Sequence, residues 1–351
     1  MLHGEHLRRS RTKMCEPPFE ARCVNIVFEF QICYNTLRVQ IRHEVYFTVK
    51  LLCKRIRILK IAILTDSNCG INKEEANKLG IYVLPMPFYI GDEVYYEDID
   101  LTQEEFYIKL DTEDRITTSM PVVGDVIDKW DELLEDYDEV VYIPMSSSLS
   151  GSCQTAQMLA QDDEYEDKVF VVDNQRISVT MKESVMDALY LANKGYSGSE
   201  IRNILEDHKR DSSIYISIPT LEYLSKGGRL TKAVAALGNI LKIKPVLQIQ
   251  GGKLDTFARA RTIEQCKQTM ITAIKDDIKN RFDDDPSIVE IAIAHTNNEE
   301  AALKFKEEVL EIWPDREIVV DPLSLSVACH IGPGSLAITV GRRIGSFKQY
   351  K

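Results

Sequence analysis

Short apolar runs that end in polar residues alternate with amphipathic stretches along the first half of the chain. The run ILKIAILTDS (58–67) ends in Asp66 and Ser67, as a buried parallel strand ends at its loop. DEVVYI (138–143) and KVFVVD (168–173) have the same form. Helical patterns lie between these runs, so their order predicts βαβ units and a parallel sheet.

The second half of the chain mixes alternating and helical patterns. KPVLQIQGGKLDTFARART places two alternating runs around Gly251 and Gly252, which predicts a hairpin. SIVEIAIAHT and REIVVDPLS predict further strands on either side of a helix. SVACHIGPGSLAITV (326–340) predicts a strand, a Gly-Pro-Gly turn and a final strand. These patterns predict a second α/β domain with a mixed sheet.

Composition narrows the class of protein. The chain has 351 residues, of which 44% are hydrophobic and 28% charged, as in globular proteins of two ordinary domains. Its net charge of −12 argues against a nucleic-acid partner. No apolar run reaches the length of an integral membrane segment. The eight cysteines are scattered without C-x-x-C spacing, which predicts no metal or redox centre and fits a cytoplasmic location.

The first 57 residues differ from the rest of the chain. They carry 11 Lys and Arg against 5 Asp and Glu, whereas the remainder carries 32 against 50. A small domain, a basic tail, or sequence upstream of the native start at Leu59 would each explain this segment, and we favour the last. The expected division is therefore an extension over 1–57, an N-terminal domain over 58–175 and a C-terminal domain over 176–346.

Three hydroxyl-rich loops follow predicted strands, at 65–67, 117–121 and 146–152. Ligands of open parallel sheets bind beyond the carboxyl ends of the strands. Two of these loops lead into predicted helices, whose N-termini favour an anion. The alternative is that the Ser and Thr residues are simply helix caps. Both interpretations stay open for any single loop.

The three loops contain no Lys or Arg, although a phosphate site usually recruits these cations. A carboxylate needs less charge and could be held by hydroxyls, amides and a histidine. His330 is the candidate, because it precedes the Gly-Pro-Gly turn at an expected strand end. His295, at another expected strand end, is the weaker candidate.

Five motifs together carry a family resemblance. ILTDSN, TTSMP, SSSLSGSCQTA, YLSKGGRLTKAVAALGNILKIKPVL and HIGPGSLA resemble, in order and spacing, the DegV family of bacterial lipid-binding proteins. The resemblance covers 58–345 and leaves 1–57 without a counterpart. It implies two α/β domains, one with a parallel and one with a mixed sheet, and a long-chain fatty acid in a lipid pocket between them.

The resemblance also implies roles for particular residues. The protein would be a carrier without catalytic residues, cofactor or metal. It would present the fatty acid to a separate fatty acid kinase subunit, which makes an acyl phosphate for phospholipid synthesis. Arg229, in the family's GGR loop, would serve docking of that kinase. The residues implied to bind the carboxylate are Thr118, Ser119, Ser147, Ser150 and His330.

The sequence departs from the family pattern at Ser148, where Gly is frequent, and at Ser152, where Thr is frequent. Both changes keep the loop small and polar. Two other functions stay open. One is a hydrolase with Ser147, His330 and Asp66 as a triad, although the nucleophile elbow is absent from the sequence. The other is a binder of a different small anion, such as a phosphosugar.

Overall fold

The apolar runs form strands in three sheets of the computed structural model, which describes residues 59–97, 99–112, 116–236 and 243–345. The interpretation of 1–57 lies outside these described residues. In chain order the strands are β1 (Ile61–Asp66), β2 (Tyr82–Leu84), β3 (Pro87–Ile90), β4 (Glu93–Tyr96), β5 (Ile116–Thr118), β6 (Glu139–Ile143), β7 (Val169–Val171), β8 (Ser212–Ser217), β9 (Lys244–Gln250), β10 (Lys253–Ala260), β11 (Val289–His295), β12 (Val319–Pro322) and β13 (Leu336–Arg342).

Helices connect most of these strands. The α-helices are α1 (Lys73–Leu79), α2 (Gln103–Thr112), α3 (Val123–Asp136), α4 (Ser152–Leu159), α5 (Ser178–Asn193), α6 (Gly198–Asp207), α7 (Glu222–Lys226), α8 (Lys232–Ala235), α9 (Ile263–Arg281), α10 (Glu299–Leu310) and α11 (Leu325–Ile331). The start of α2 has a capping box: the Thr102 N–H donates to the Glu105 carboxylate and the Glu105 N–H donates to the Thr102 hydroxyl.

Strands β2, β1, β6 and β7 form a four-stranded parallel sheet in that order, as the first half of the sequence predicts. Both faces of this sheet are covered. Leu64 and Trp130 belong to the cluster on the α3 side, whereas Ile63 and Met181 belong to the cluster on the α5 side. Neighbouring residues of a strand point to opposite faces, so an unbroken apolar run is what a doubly covered strand requires.

A three-stranded antiparallel sheet, in the order β4, β3, β5, is a departure from the sequence interpretation. The run 81–90 contains two strands, of which β2 joins the parallel sheet and β3 joins this small one. The segment 117–121 was expected as a loop, yet Thr118 ends β5 and pairs with Phe88. Phe88 packs in one cluster with Leu325 of α11, so this sheet places Thr118 next to that helix.

The third sheet has six strands in the order β10, β9, β8, β13, β11, β12. The β11–β12 pair is parallel and the other pairs are antiparallel, which confirms the predicted mixed sheet. Gln250 pairs with Lys253, which confirms the hairpin turn at Gly251 and Gly252.

The expected strand over SVACH is wrong, because Leu325–Ile331 is a helix. Leu325, Ala328 and Cys329 are buried in one cluster, and their spacing of three and four residues is that of a helix face. Periodicity does not separate strand from helix in an apolar segment this short. His330 therefore lies in the last turn of α11 and not at the end of a strand.

Among the described residues, none of the helices has both the length and the apolar character needed to cross a lipid bilayer.

Candidate ligand-binding site

A cavity in which the centre of a water molecule can occupy about 110 Å³ lies next to the carboxyl ends of β1 and β6 and is bordered on another side by the six-stranded sheet. Its position matches the rule that ligands of open α/β sheets bind beyond the strand ends. Much of its wall is apolar, including Met86, Met145, Ile214, Ile249, Ala294 and Ala337.

Four of the five predicted carboxylate-binding residues line this cavity: Thr118, Ser119, Ser150 and His330. Nε2 of His330 is 2.8 Å from the Thr118 hydroxyl oxygen. The two residues are 212 positions apart in the sequence, and the packing of the three-stranded sheet on α11 brings them together.

His330 is held as a neutral ring. Burial, and then the positive charge of Arg229, lower the pKa of His330 from 6.5 to about 4. Its Nδ1 is buried and has no hydrogen-bond partner among the described residues. The ring hydrogen is therefore best placed on Nε2, where it is donated to Thr118. The hydroxyl hydrogen of Thr118 is then available to an acceptor in the cavity.

Gly227 makes room for this histidine. A Cβ atom at Gly227 would overlap Nδ1 of His330. Helices α7 and α11 contact each other here. In the same way, a Cβ atom at Gly332 would overlap the ring of Tyr223. The position of His330 is thus fixed by close contacts of α7 with α11.

Arg229, predicted to contact a kinase partner, also lines the cavity. In the sequence it lies outside the three hydroxyl-rich loops. Its side chain is exposed and donates from Nη1 to the carbonyl oxygen of Gly227 at 2.8 Å. It lines an adjoining surface groove as well, together with Lys232 and Lys253. A cation therefore stands where the cavity meets this groove.

In the loop 146–152, here called the serine loop, some hydroxyls hold the local structure and others line the cavity or the adjoining groove. The Ser150 oxygen accepts from the N–H of Ser152 at 3.2 Å and lies 2.8 Å from the Ser152 hydroxyl, so it holds the start of α4. Ser147 does not line the cavity but the adjoining groove. Its hydroxyl donates to the Asp173 carboxylate at 2.7 Å. The structure does not bring Ser147 together with the other four residues.

The turn of the β9–β10 hairpin packs against the serine loop. The Ser146 hydroxyl donates to the Gly252 carbonyl oxygen at 3.5 Å, and the Ser148 N–H donates to the Ser146 hydroxyl at 3.2 Å. A Cβ atom at Gly252 would lie 2.8 Å from the Ser146 hydroxyl oxygen and 3.0 Å from that of Ser148. The hairpin turn is therefore in close contact with the side chains of Ser146 and Ser148.

The proposed hydrolase triad is not assembled. Asp66 accepts hydrogen bonds from the Asn68 and Met145 N–H groups, Ser147 is bound to Asp173 and His330 pairs with Thr118. Burial raises the pKa of Asp66 to about 6. Between the three residues of the expected triad, the described structure contains no hydrogen bond, so the hydrolase interpretation is wrong for these residues.

Asn68 and Ser326 also line the cavity and were not predicted as site residues. The Asn68 amide oxygen accepts from the hydroxyls of Ser324 and Ser326, which joins the end of β1 to α11. Their positions in the motifs ILTDSN and LSLS were the available signal. His295 is buried away from the cavity, and its Nδ1 accepts from the Asn298 N–H.

The fold thus defines an α/β protein built from a parallel and a mixed sheet that border one largely apolar cavity with a hydroxyl and histidine cluster. The family described as "Uncharacterised protein, DegV family" matches residues 60–343. The chain therefore belongs to the DegV family.

Relatives cover most of the chain. A DegV domain-containing protein of Staphylococcus aureus is 30% identical over 281 residues, which are 80% of this chain and 98% of the relative. A solved DegV family structure from Thermus thermophilus, described as fatty acid binding, is 29% identical with a TM-score of 0.74 and covers 81% of this chain and 100% of that one. DegV of Bacillus subtilis, described as a fatty acid binding protein, is 28% identical with a TM-score of 0.72, and the match covers 81% of this chain and 100% of that one.

Proposed function

We propose that this protein binds a long-chain fatty acid, with its acyl chain in the cavity and its carboxylate at the cluster of Thr118, Ser119, Ser150 and His330. The observation that carries the proposal is the cavity itself, whose walls are largely apolar and which contains a cluster of hydroxyls around a neutral histidine. The solved relatives described as fatty acid binding support it.

Affinity would come mainly from the acyl chain. Burying about 15 methylene groups at about 0.8 kcal/mol each is worth roughly 12 kcal/mol before the costs of association are subtracted. The cluster of donors would set the orientation. A buried carboxylate must have its oxygens satisfied, and Thr118, relaying the hydrogen bond of His330, offers one donor. Ser147 would join only after its hydroxyl turned away from Asp173.

Native mass spectrometry of the intact chain, purified from a bacterial host, tests this function. We expect a bound mass equal to that of a long-chain fatty acid, released by organic extraction and identified by gas chromatography. A phosphorylated small molecule in its place would favour the anion-binding alternative. A protein without any bound acid, which also fails to take up added palmitic acid, would contradict the proposal.

Substitutions distinguish the contribution of the carboxylate contacts to affinity from that of the buried acyl chain. His330→Ala removes the donor that turns the Thr118 hydroxyl hydrogen toward the carboxylate, and losing that bond from Thr118 to a charged group would cost on the order of 1.5–3 kcal/mol. We therefore expect palmitic acid to bind ~10–100-fold more weakly. Ser147→Ala is the matched control in the adjoining groove and should change affinity less. Equal affinities of parent and His330→Ala would remove His330 from the site.

We further propose that the loaded protein is the substrate form for a separate fatty acid kinase subunit and that Arg229 contacts this partner. Its exposure beside the cavity supports this role. Arg229→Ala should lower the rate of acyl-phosphate formation by the host's kinase subunit more than it lowers fatty-acid affinity. Lys226→Ala removes a nearby exposed cation and serves as the control. Equal loss of turnover in both variants would show a general charge effect.

A further inference from the structure

The six-stranded sheet forms one wall of the cavity, and the size of the side chains on this wall changes along the strands. In one row, Ile216 pairs with Ala337, and Ala337 pairs with Ala294. Two residues further along the strands, Thr339 pairs with Ile214, and Ile214 pairs with Ile249. All six residues line the cavity.

The first of these rows is nearer to the proposed carboxylate cluster. The polypeptide reaches Ala337 directly after α11, which carries His330, and the turn at 332–335. Strand β8 runs antiparallel to β13 and leaves the sheet at the same end, toward α7 and its cavity residue Leu224. Because a strand rises about 3.3 Å per residue, Thr339 lies roughly 7 Å further from that end than Ala337.

Side-chain size differs between the rows. The near row contains two adjacent alanines, Ala294 and Ala337, which leave a trough across neighbouring strands. In the distal row the residues that line the cavity are the β-branched Ile214, Ile249 and Thr339, whereas Ala292, which pairs with Thr339, does not line it. The Thr339 hydroxyl donates to the Ala292 carbonyl oxygen at 3.4 Å, so it is already satisfied and offers a ligand bulk and not polarity.

Helix α5 covers the distal row. A Cβ atom at Gly341 would overlap the carboxylate of Glu183, so α5 lies directly on β13 there. Ser178, the first residue of α5, lines the cavity together with Ile177. Thr339, two residues before Gly341 on β13, lines the same cavity.

We propose that Thr339 is a specificity-determining residue, whose bulk at the distal end of the cavity limits the length of the acyl chain, while Ala294 and Ala337 let the chain pass. This inference rests on the proposed fatty-acid binding. It assigns chain-length selection to one strand, β13. A bound acyl chain would pass Ala337 first and would meet Thr339 only at the distal end.

Competition binding with saturated straight-chain acids, from decanoic to eicosanoic acid, measures this selection. In the parent protein, affinity should rise about 4-fold for each added methylene until the chain fills the cavity, and then level off. Thr339→Leu should move this plateau to a shorter acid. Ala337→Leu should move it to a still shorter one, and Thr339→Ala to a longer one.

Val340→Leu is the control, because Val340 follows Thr339 on the same strand and is buried in the cluster on the opposite face of the sheet. It enlarges a buried side chain without touching the cavity, so its plateau should be that of the parent. If Thr339→Leu and Thr339→Ala bind acids with the parent's plateau, this inference is overturned while fatty-acid binding stands. If the parent binds none of the acids, the proposed function itself fails.

Discussion

At the scale of single residues, the site depends on glycines that leave space as well as on its polar side chains. His330 can reach Thr118 because Gly227 leaves its Nδ1 side open. The cost of this arrangement is a buried ring nitrogen that has no hydrogen-bond partner within the described part of the chain. A ring held by contact and kept neutral by burial offers a hydrogen bond without bringing a charge into an apolar cavity.

Gly227→Ala tests this contact. The added methyl group must displace His330 or α7, and overpacking of this kind costs about 1–3 kcal/mol of unfolding free energy. Gly124→Ala is the control, since Gly124 lies in α3 with open space around it and should change stability by about 1 kcal/mol or less, in the stabilising direction. Urea unfolding of both variants measures the difference, and equal stabilities would contradict the close packing.

At the scale of elements, the hairpin and the serine loop act as one unit. The turn of β9 and β10 lies against Ser146 and Ser148, and the loop in turn places Ser150 on the cavity. Loop residues that bind ligands are accurate only when a rigid element supports them. The hairpin supplies that support from the other sheet.

Gly252→Ala should disturb this unit more than Gly251→Ala. Both glycines have positive φ, 86° and 67°, so alanine at either position costs roughly 1–2 kcal/mol of backbone strain. At Gly252 the new methyl group also meets two serine hydroxyls, whereas at Gly251 its nearest contact is 3.8 Å away. Palmitic acid affinity should fall in Gly252→Ala only, and an equal fall in both variants would exclude the contact as the cause.

The sequence predicts elements better than it predicts their contacts. Doubly covered strands and the Gly251–Gly252 turn leave local signals, and both were predicted. The helix over 325–331 was missed because a segment of seven residues, five of them apolar, fits either period. The bond from Ser147 to Asp173 leaves no local signal, since it depends on how β7 ends beside the loop. The residues of the candidate site could be named from the family motifs, but their partners could not.

At the scale of the whole molecule, two buried carboxyl groups that do not line the cavity, those of Glu183 and Asp187, have strongly raised pKa values. Glu183 of α5 is 3.8 Å from Arg176, and both of its carboxylate oxygens are buried without a hydrogen-bond partner among the described residues. Burial raises the pKa of Glu183 from 4.5 to about 8 and that of Asp187, one turn further along, to about 7. The folded protein therefore holds protons that the unfolded chain releases.

The stability of the protein should consequently fall as pH rises. The contribution of Glu183 is fully present below its unfolded pKa of 4.5 and is lost as pH rises through its folded value of about 8. Glu183→Gln should reduce this loss by roughly 1–3 kcal/mol between about pH 5 and pH 8. Glu166→Gln, at an exposed position, should leave the pH profile unchanged. Urea unfolding across this range is the measurement, and identical profiles for parent and Glu183→Gln would contradict it.

Four residues, Leu149, Ser150, Arg229 and Leu254, line both the cavity and the adjoining groove. This sharing has a kinetic consequence for a ligand whose polar end rests there. Such a ligand departs by drawing its whole tail out past these side chains, so its residence time lengthens with every carbon, whereas its arrival depends little on tail length. Long-chain ligands would then be exchanged slowly, and a chemical change at the exposed end could be completed before the tail moves.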